Sequence, residues 1–220
     1  MSTPGSWRPP KPWTGTAAWR STGKHWPEVF RPSSEAAAAL DDRYLQAVHL
    51  NYYSLVLSLN KQRHREAIQR AGEARAHARA VQDTTQQAWA LVYAVFPHRH
   101  LGEAKTGLDK ARAGVQLFEA IGDHEGWIEA VGLYRASLRD LGRVEETLVQ
   151  HGRMIAFLDK PDCPVSGRTA DTYRAYAGDA LDSDCAALGR WREAADHFRG
   201  ALLQMRRLDI RHMEGTRCCI

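Results

Sequence analysis

The chain has 220 residues, 44% of them hydrophobic and 25% charged, an ordinary balance for a globular chain that buries a core. Its longest apolar runs, Ala36 to Leu40 and Ala88 to Val95, fall far short of the roughly 20 residues that cross a bilayer, so no membrane span is expected. A net charge of +4, from 30 basic and 26 acidic residues, gives only a mild pull toward acidic partners or nucleic acid.

Residues 1–34 read as an irregular arm rich in Trp and Pro. Residues 1 to 32 hold Pro4, Pro9, Pro10, Pro12, Pro27 and Pro32, six of the nine prolines. Proline removes a backbone donor and clashes with the preceding turn, so no long helix is expected there. No apolar stretch of about 7 to 15 residues follows the basic N-terminus, which argues against a secretory signal and for a cytoplasmic protein of bacterial type. The arm also carries Trp7, Trp13, Trp19 and Trp26, four of the seven tryptophans. Disordered tails are poor in aromatics, so these four are expected to dock, either on the chain's own body or on a partner.

After Pro32 the character changes. Ser33, Ser34 and Glu35 suit a helix start, and a proline-free periodic segment follows to Leu59. From there amphipathic segments alternate with short breaks at Pro97, Gly122-Asp123, Gly142, Asp159 to Gly167, and Gly189. First helices are predicted near 35–59, 84–96, 127–141 and 169–188, and second helices near 63–82, 103–121, 145–158 and 192–208. Little reads as a strand. Residues 35–208 thus form the folded domain, and residues 209–220 a tail.

The second helices repeat one another. LGRWREAADHFRGAL (Leu188 to Leu202) matches LGRVEETLVQHGRMI (Leu141 to Ile155), and related strings run from His100 and from Arg63. Taking Glu66, Glu103, Glu146 and Glu193 as equivalent gives steps of 37, 43 and 47 residues, one hairpin each. Small residues at Gly189 and Ala194 would let helices approach, with Leu181, Phe198 and Leu202 filling the space toward the next hairpin.

On these residues, above all Leu181, Gly189, Ala194, Phe198 and Ala201, the chain resembles the tetratricopeptide repeat family in its longer, irregular bacterial form. It departs from that pattern at Gly178 and Asp182, and at Thr147 and His151, where Ala and an aromatic are expected. The resemblance implies an all-α fold, a right-handed α-solenoid of about four helix-turn-helix hairpins. It also implies a concave face lined by first helices, which by phase includes Asn51, Ser54, Trp89, Tyr93, Glu129, Arg139, Tyr176 and Asp179. Aromatics among mixed charges suit a protein or peptide ligand, although Trp89 and Tyr93 could equally be buried between hairpins.

No constellation of nucleophile and base, phosphate-cradling loop, zinc spacing or cofactor motif stands out, so no cofactor, metal or catalytic residue is assigned. His64, His98 and His100 lack a third ligand and read as loop histidines. The span Gly122 to Gly126 reads as a turn, and the four cysteines, Cys163, Cys185, Cys218 and Cys219, read as reduced thiols. The helix from Lys61 to Arg79 carries Lys61, Arg63, Arg65, Arg70, Arg75 and Arg79 against Glu66 and Glu73, a solvated face or a phosphate-binding stripe.

The expected function is therefore a non-catalytic scaffold that binds protein or peptide. Two alternatives stand beside it: regulation of transcription or other nucleic-acid transactions through a partner, and a helical-repeat enzyme of a biosynthetic pathway. A homodimer through the last hairpin is also expected, because the short polar tail offers no covering helix.

Overall fold

A computed structural model of the chain describes residues 26–165 and 167–210. Trp7, Trp13, Trp19, Cys218 and Cys219 lie outside the described residues. Among the described residues there are nine α-helices and no strand: α1 Trp26–Ala39, α2 Arg43–Lys61, α3 His64–Ala80, α4 Thr84–His100, α5 Ala104–Ile121, α6 His124–Asp140, α7 Val144–Leu158, α8 Gly167–Ala187 and α9 Trp191–Arg207. The pairs α2–α3, α4–α5, α6–α7 and α8–α9 are the four expected hairpins, each packed on the next, and α1 lies against α2.

Backbone chemistry sets the helix ends. Gln62, Gly102, Gly142 and Gly189 close the first helices in the left-handed conformation. Asp41, Gln82, Gly122 and Asp209 do the same between or after hairpins. The residue that follows in three of those joints is an aspartate whose carboxylate accepts from the new helix: Asp42 from Leu45 N (2.9 Å), Asp83 from Gln86 N (2.7 Å) and Asp123 from Gly126 N (3.0 Å). Gly189 thus serves the turn, with φ at 72° and open space where a Cβ would stand, rather than helix approach as the sequence suggested.

Two proline expectations need correction. The segment predicted as one helix from residue 35 to 59 is two helices broken at Asp41-Asp42, and the first begins at Trp26, inside the stretch read as irregular. Pro27 sits in the first turn, where its missing N–H costs nothing. Pro32 is internal and removes one helical donor, while Ser33 Oγ donates to the Val29 carbonyl at 2.8 Å and Phe30, Pro27 and Ala37 bury against the body. Pro97 likewise fails to end α4, which runs on to His100. The added turn is held by His98 Nδ1 at 2.5 Å from Glu103 and by Arg99, which donates to Asp140 at 2.6 Å and 3.1 Å. His98 and His100 are therefore helical, and the His100 ring meets the His64 ring edge-on at 4.8 Å.

The repeat also shifts in phase. Second helices are capped by Arg63, Glu103, Arg143 and Arg190, giving steps of 40, 40 and 47 residues. Glu66, Glu146 and Glu193 stand three residues after their caps and pair with them, whereas Glu103 is a cap itself, so it is not their equivalent. Counted from the caps, the fourth, eighth, eleventh and fifteenth residues face inward. They are Ala67, Ala71, Ala74 and Ala78 in α3; Gly107, Ala111, Gly114 and Phe118 in α5; and Thr147, His151, Met154 and Leu158 in α7. In α9 they are Ala194, Phe198, Ala201 and Met205, of which Phe198 alone is not fully buried. Leu181 and Leu202 are half-buried too, so this trio fills less space between hairpins than the sequence predicted.

The largest core cluster runs from Leu55 of α2 to Ala177 of α8 through Val92, Tyr93, Phe118, Ile128, Val131 and Leu158. Gly126 belongs to this packing and not to a turn: as the third residue of α6 it carries the Phe118 ring, and a Cβ there would stand 2.4 Å from Cε1 of that ring. Gly132 on the same helix faces open space. Gly126→Ala should therefore destabilise by about 1–3 kcal/mol, the usual cost of overpacking, while Gly132→Ala should stabilise by up to about 1 kcal/mol through helix propensity. Denaturant midpoints of the two variants check the pair, and a neutral Gly126→Ala would mean that the Phe118 ring lies elsewhere.

Candidate binding surface

Aligning the first helices on the left-handed residue that ends each one places His49, Trp89, Glu129 and Tyr176 thirteen residues before it. Tyr52, Val92, Gly132 and Asp179 stand ten before, and Leu59, Arg99, Arg139 and Ala186 three before. Spacings of three, seven and ten residues fall on one helical face, so Trp89, Glu129, Tyr176, Asp179 and Arg139 share a stripe across the last three hairpins, which His49 extends to the first. Trp89, Tyr176, Asp179 and Arg139 are partly exposed along it. Glu129 is 7% exposed and accepts a hydrogen bond from the Tyr173 hydroxyl of α8 at 2.8 Å. Burial, then the charges of Glu129 and its neighbours, drives the Tyr173 phenol far above its ordinary range, so it remains a donor.

The other residues expected on the face hold the solenoid together. Asn51 is buried and donates from Nδ2 to the Gln86 carbonyl (3.1 Å) and to Gln86 Oε1 (3.0 Å), tying α2 to α4. Ser54 is buried and donates to the Ala67 carbonyl at 2.7 Å, tying α2 to α3. Tyr93 is buried as well and stacks on Trp89 at 5.1 Å. Burial removes all three from an open surface. Their sequence signal, a small polar or aromatic residue one or two positions off the stripe, could not be told from an exposed one until the left-handed residues fixed the phase.

Trp26, the one arm tryptophan among the described residues, docks on the chain itself. Its ring lies 5.6 Å from Phe30, which lies 5.4 Å from Tyr52; Tyr52 is 6.2 Å from Tyr93, and Trp89 reaches Phe118 at 5.0 Å. The result is a ladder of six rings from α1 to α5.

Sequence reasoning missed a polar node between the third and fourth hairpins. Asp184 on α8 is fully buried, and its Oδ2 takes a hydrogen bond from Thr147 Oγ1 at 2.8 Å and lies 3.0 Å from His151 Nε2. Arg135 Nη1 stands 3.4 Å from the same oxygen, and Arg139 Nη1 is 3.3 Å from Oδ1. Thr147 and His151 are two of the four departures from the repeat pattern, and this carboxylate accounts for both. Burial drives the Arg135 guanidinium down to about 10, against the pull of Asp184. Burial alone would raise the Asp184 carboxyl, but hydrogen bonds from His151 and Thr147 and the two guanidinium charges outweigh it and leave it below the ordinary range.

Among the described residues no group of three or more His, Cys, Asp or Glu could hold a metal ion, and no helix is long and apolar enough to cross a membrane. Cys163 and Cys185 are free thiols. Of the basic residues on α3, Arg63 pairs with Glu66, and Arg70 pairs with Glu73 at 2.8 Å.

The node gives the fold an acid-labile joint. Burial holds the His151 imidazole below its ordinary value of 6.5, so the unfolded chain takes up that proton more readily. Stability is therefore lost as pH falls below about 6.5, and Asp184 adds a second loss in the carboxylate range below it. Thermal melts from about pH 8 to about pH 5 should fall in Tm. His151→Gln, which keeps a donor for Asp184 without the titration, should shrink that fall; an equal fall in the variant would exclude His151 as its source.

No protein-family model and no curated protein sequence matches the chain. Solved structures do match. One is a single-substitution variant of a Podosopora anserina chain assigned as a kinesin light chain with nearly identical TPR-like repeats. It superposes with a TM-score of 0.66 at 11% identity, over 88% of this chain and 92% of that one. The version without that substitution gives a TM-score of 0.61 at 12% identity, over 89% and 92%. At such identities the likeness concerns the fold. The chain is an all-helical solenoid of TPR-like hairpins.

Proposed function

We propose that the chain is a non-catalytic scaffold or adaptor of the cytoplasm that binds a protein or peptide along its layer of first helices. TPR-like folds commonly mediate protein–protein contact, and the observation that carries the reading here is the shared stripe. His49, Trp89, Glu129 and Tyr176 occupy one register, flanked by Asp179 and Arg139. Aromatic rings supply contact area at low entropic cost, and fixed charges of both signs orient a backbone laid across them. Trp7, Trp13 and Trp19 are proposed as a second contact, since Trp26 at the root of the arm is already engaged in cis.

Affinity capture with the full chain, compared with a chain lacking residues 1–25, separates the two contacts. The cut must fall before Trp26, because α1 is part of the folded body. A Tyr176→Ala, Asp179→Ala double variant that keeps its helical circular dichroism should weaken the captured partner by about 2 kcal/mol or more. Undiminished binding by that variant and by the shortened chain together would refute both contacts.

The proposed homodimer contact is the α9 surface at Trp191, which is 68% exposed, with half-buried Leu202 eleven residues further on. Sedimentation of the full chain at rising concentration should show dimer that Trp191→Asp abolishes, and a strict monomer at all concentrations rejects the contact.

A further inference from the structure

Successive second helices leave a seam between them on the side away from the first helices. Between α5 and α7 that seam is closed by an ion pair, Glu119 with Arg153 at 2.6 Å. Glu119 stands sixteen residues after its cap, Glu103. The residue sixteen after Arg63 in α3 is Arg79, so the same place in the seam between α3 and α5 holds a cation where its neighbour holds a carboxylate. Arg75 lies one turn earlier on α3, and Lys110 faces it from α5; both are half-buried. Nε of Arg75 is buried and has no hydrogen-bond partner.

Among the described residues no ion pair joins Arg75, Arg79 or Lys110 to a carboxylate. The cations instead work against each other. Burial and the Arg75 charge push the Lys110 ammonium down, and burial and the Arg79 charge push the Arg75 guanidinium down. Half-burying two like charges is unfavourable unless an anion offsets it, and an Arg fork beside a Lys point charge is the donor set that suits tetrahedral oxygens.

We propose that the seam between α3 and α5, with Arg75, Arg79 and Lys110, is a binding site for a single tetrahedral oxyanion, a phosphoryl or sulfuryl group. The site is a single one because Arg63 and Arg70 are neutralised, by Glu66 and Glu73, which leaves Arg65 isolated near the other end of α3. A nucleic-acid backbone would need the cations to continue in a row. The proposal is independent of the first-helix stripe, which lies on the other layer.

The test uses the full chain in inorganic phosphate, with chloride at matched ionic strength as the reference. Phosphate should raise the Tm of the wild type, and a 31P titration should saturate. Arg79→Glu, which sets an acid where α5 has Glu119, should raise Tm in the absence of phosphate and weaken phosphate binding at least about ten-fold. Arg75→Gln with Lys110→Gln should abolish the response, and Arg65→Gln, near the other end of α3, should leave it intact. Phosphoserine should bind like inorganic phosphate if the anion comes on a ligand's side chain. No stabilisation beyond chloride overturns the site, as does a response that survives Arg79→Glu. An oligonucleotide that binds far more tightly than phosphate and depends equally on Arg65 also overturns it, in favour of an extended track.

Discussion

The inward face of the first of the second helices, α3, is built from residues too small to hold neighbouring helices apart. In α3 that face is Ala67, Ala71, Ala74 and Ala78, and α2 and α4 close on it from either side. Close approach brings backbone within reach of side chains, which is why Ser54 can satisfy itself on the Ala67 carbonyl. Because α3 occupies so little width, the first helices α2 and α4 meet directly, and Asn51 can span to Gln86 while Tyr52 reaches Tyr93. In α5 the same positions carry Gly107, Ala111 and Gly114 before widening to Phe118, whose ring needs Gly126 opposite it. Over the first hairpins the close approach of the first helices is thus a product of what α3 and α5 lack.

Much of this was legible in the chain because hairpin turns are chemically marked. Gly102, Gly142 and Gly189 are glycines at positive φ, and Asp83 and Asp123 are aspartates that cap the next helix, so four hairpins could be read from spacing alone. The first hairpin was harder because Gln62 and Asp41 adopt the left-handed conformation without being glycine. Pro32 and Pro97 misled for a related reason: one lost backbone bond is small beside the burial of Phe30 or Val95, and tertiary packing outweighs it. Glu103 looked like Glu66 and Glu146 because all open a second helix, but a cap and a residue three beyond it play different parts.

The surface was less legible than the fold. Phase within a helix decides whether Asn51 or His49 faces outward, and an error of one or two residues exchanges a tie for a contact. The Asp184 node was invisible because its members, Arg135, Thr147, His151 and Asp184, come from three helices and resemble ordinary deviations from a loose pattern. Long-range polar pairing leaves no periodic trace in a single sequence.

That node changes how the solenoid would transmit force. In the first three hairpins, α2 touches α4 and α4 touches α6 through backbone-close packing, so bending there must deform a dense interior. Between α6 and α8 no comparable approach occurs, and the gap is spanned by long polar side chains: Tyr173 to Glu129, Arg139 and Arg135 to Asp184. Such struts resist stretching but tolerate rotation about their own bonds. Nearest-neighbour coupling governs a linear array, so this junction divides it into a stiff three-hairpin rod and a fourth hairpin on a softer hinge. A load applied along the axis would concentrate its strain there, and the pitch of the superhelix would be set chiefly at that single step.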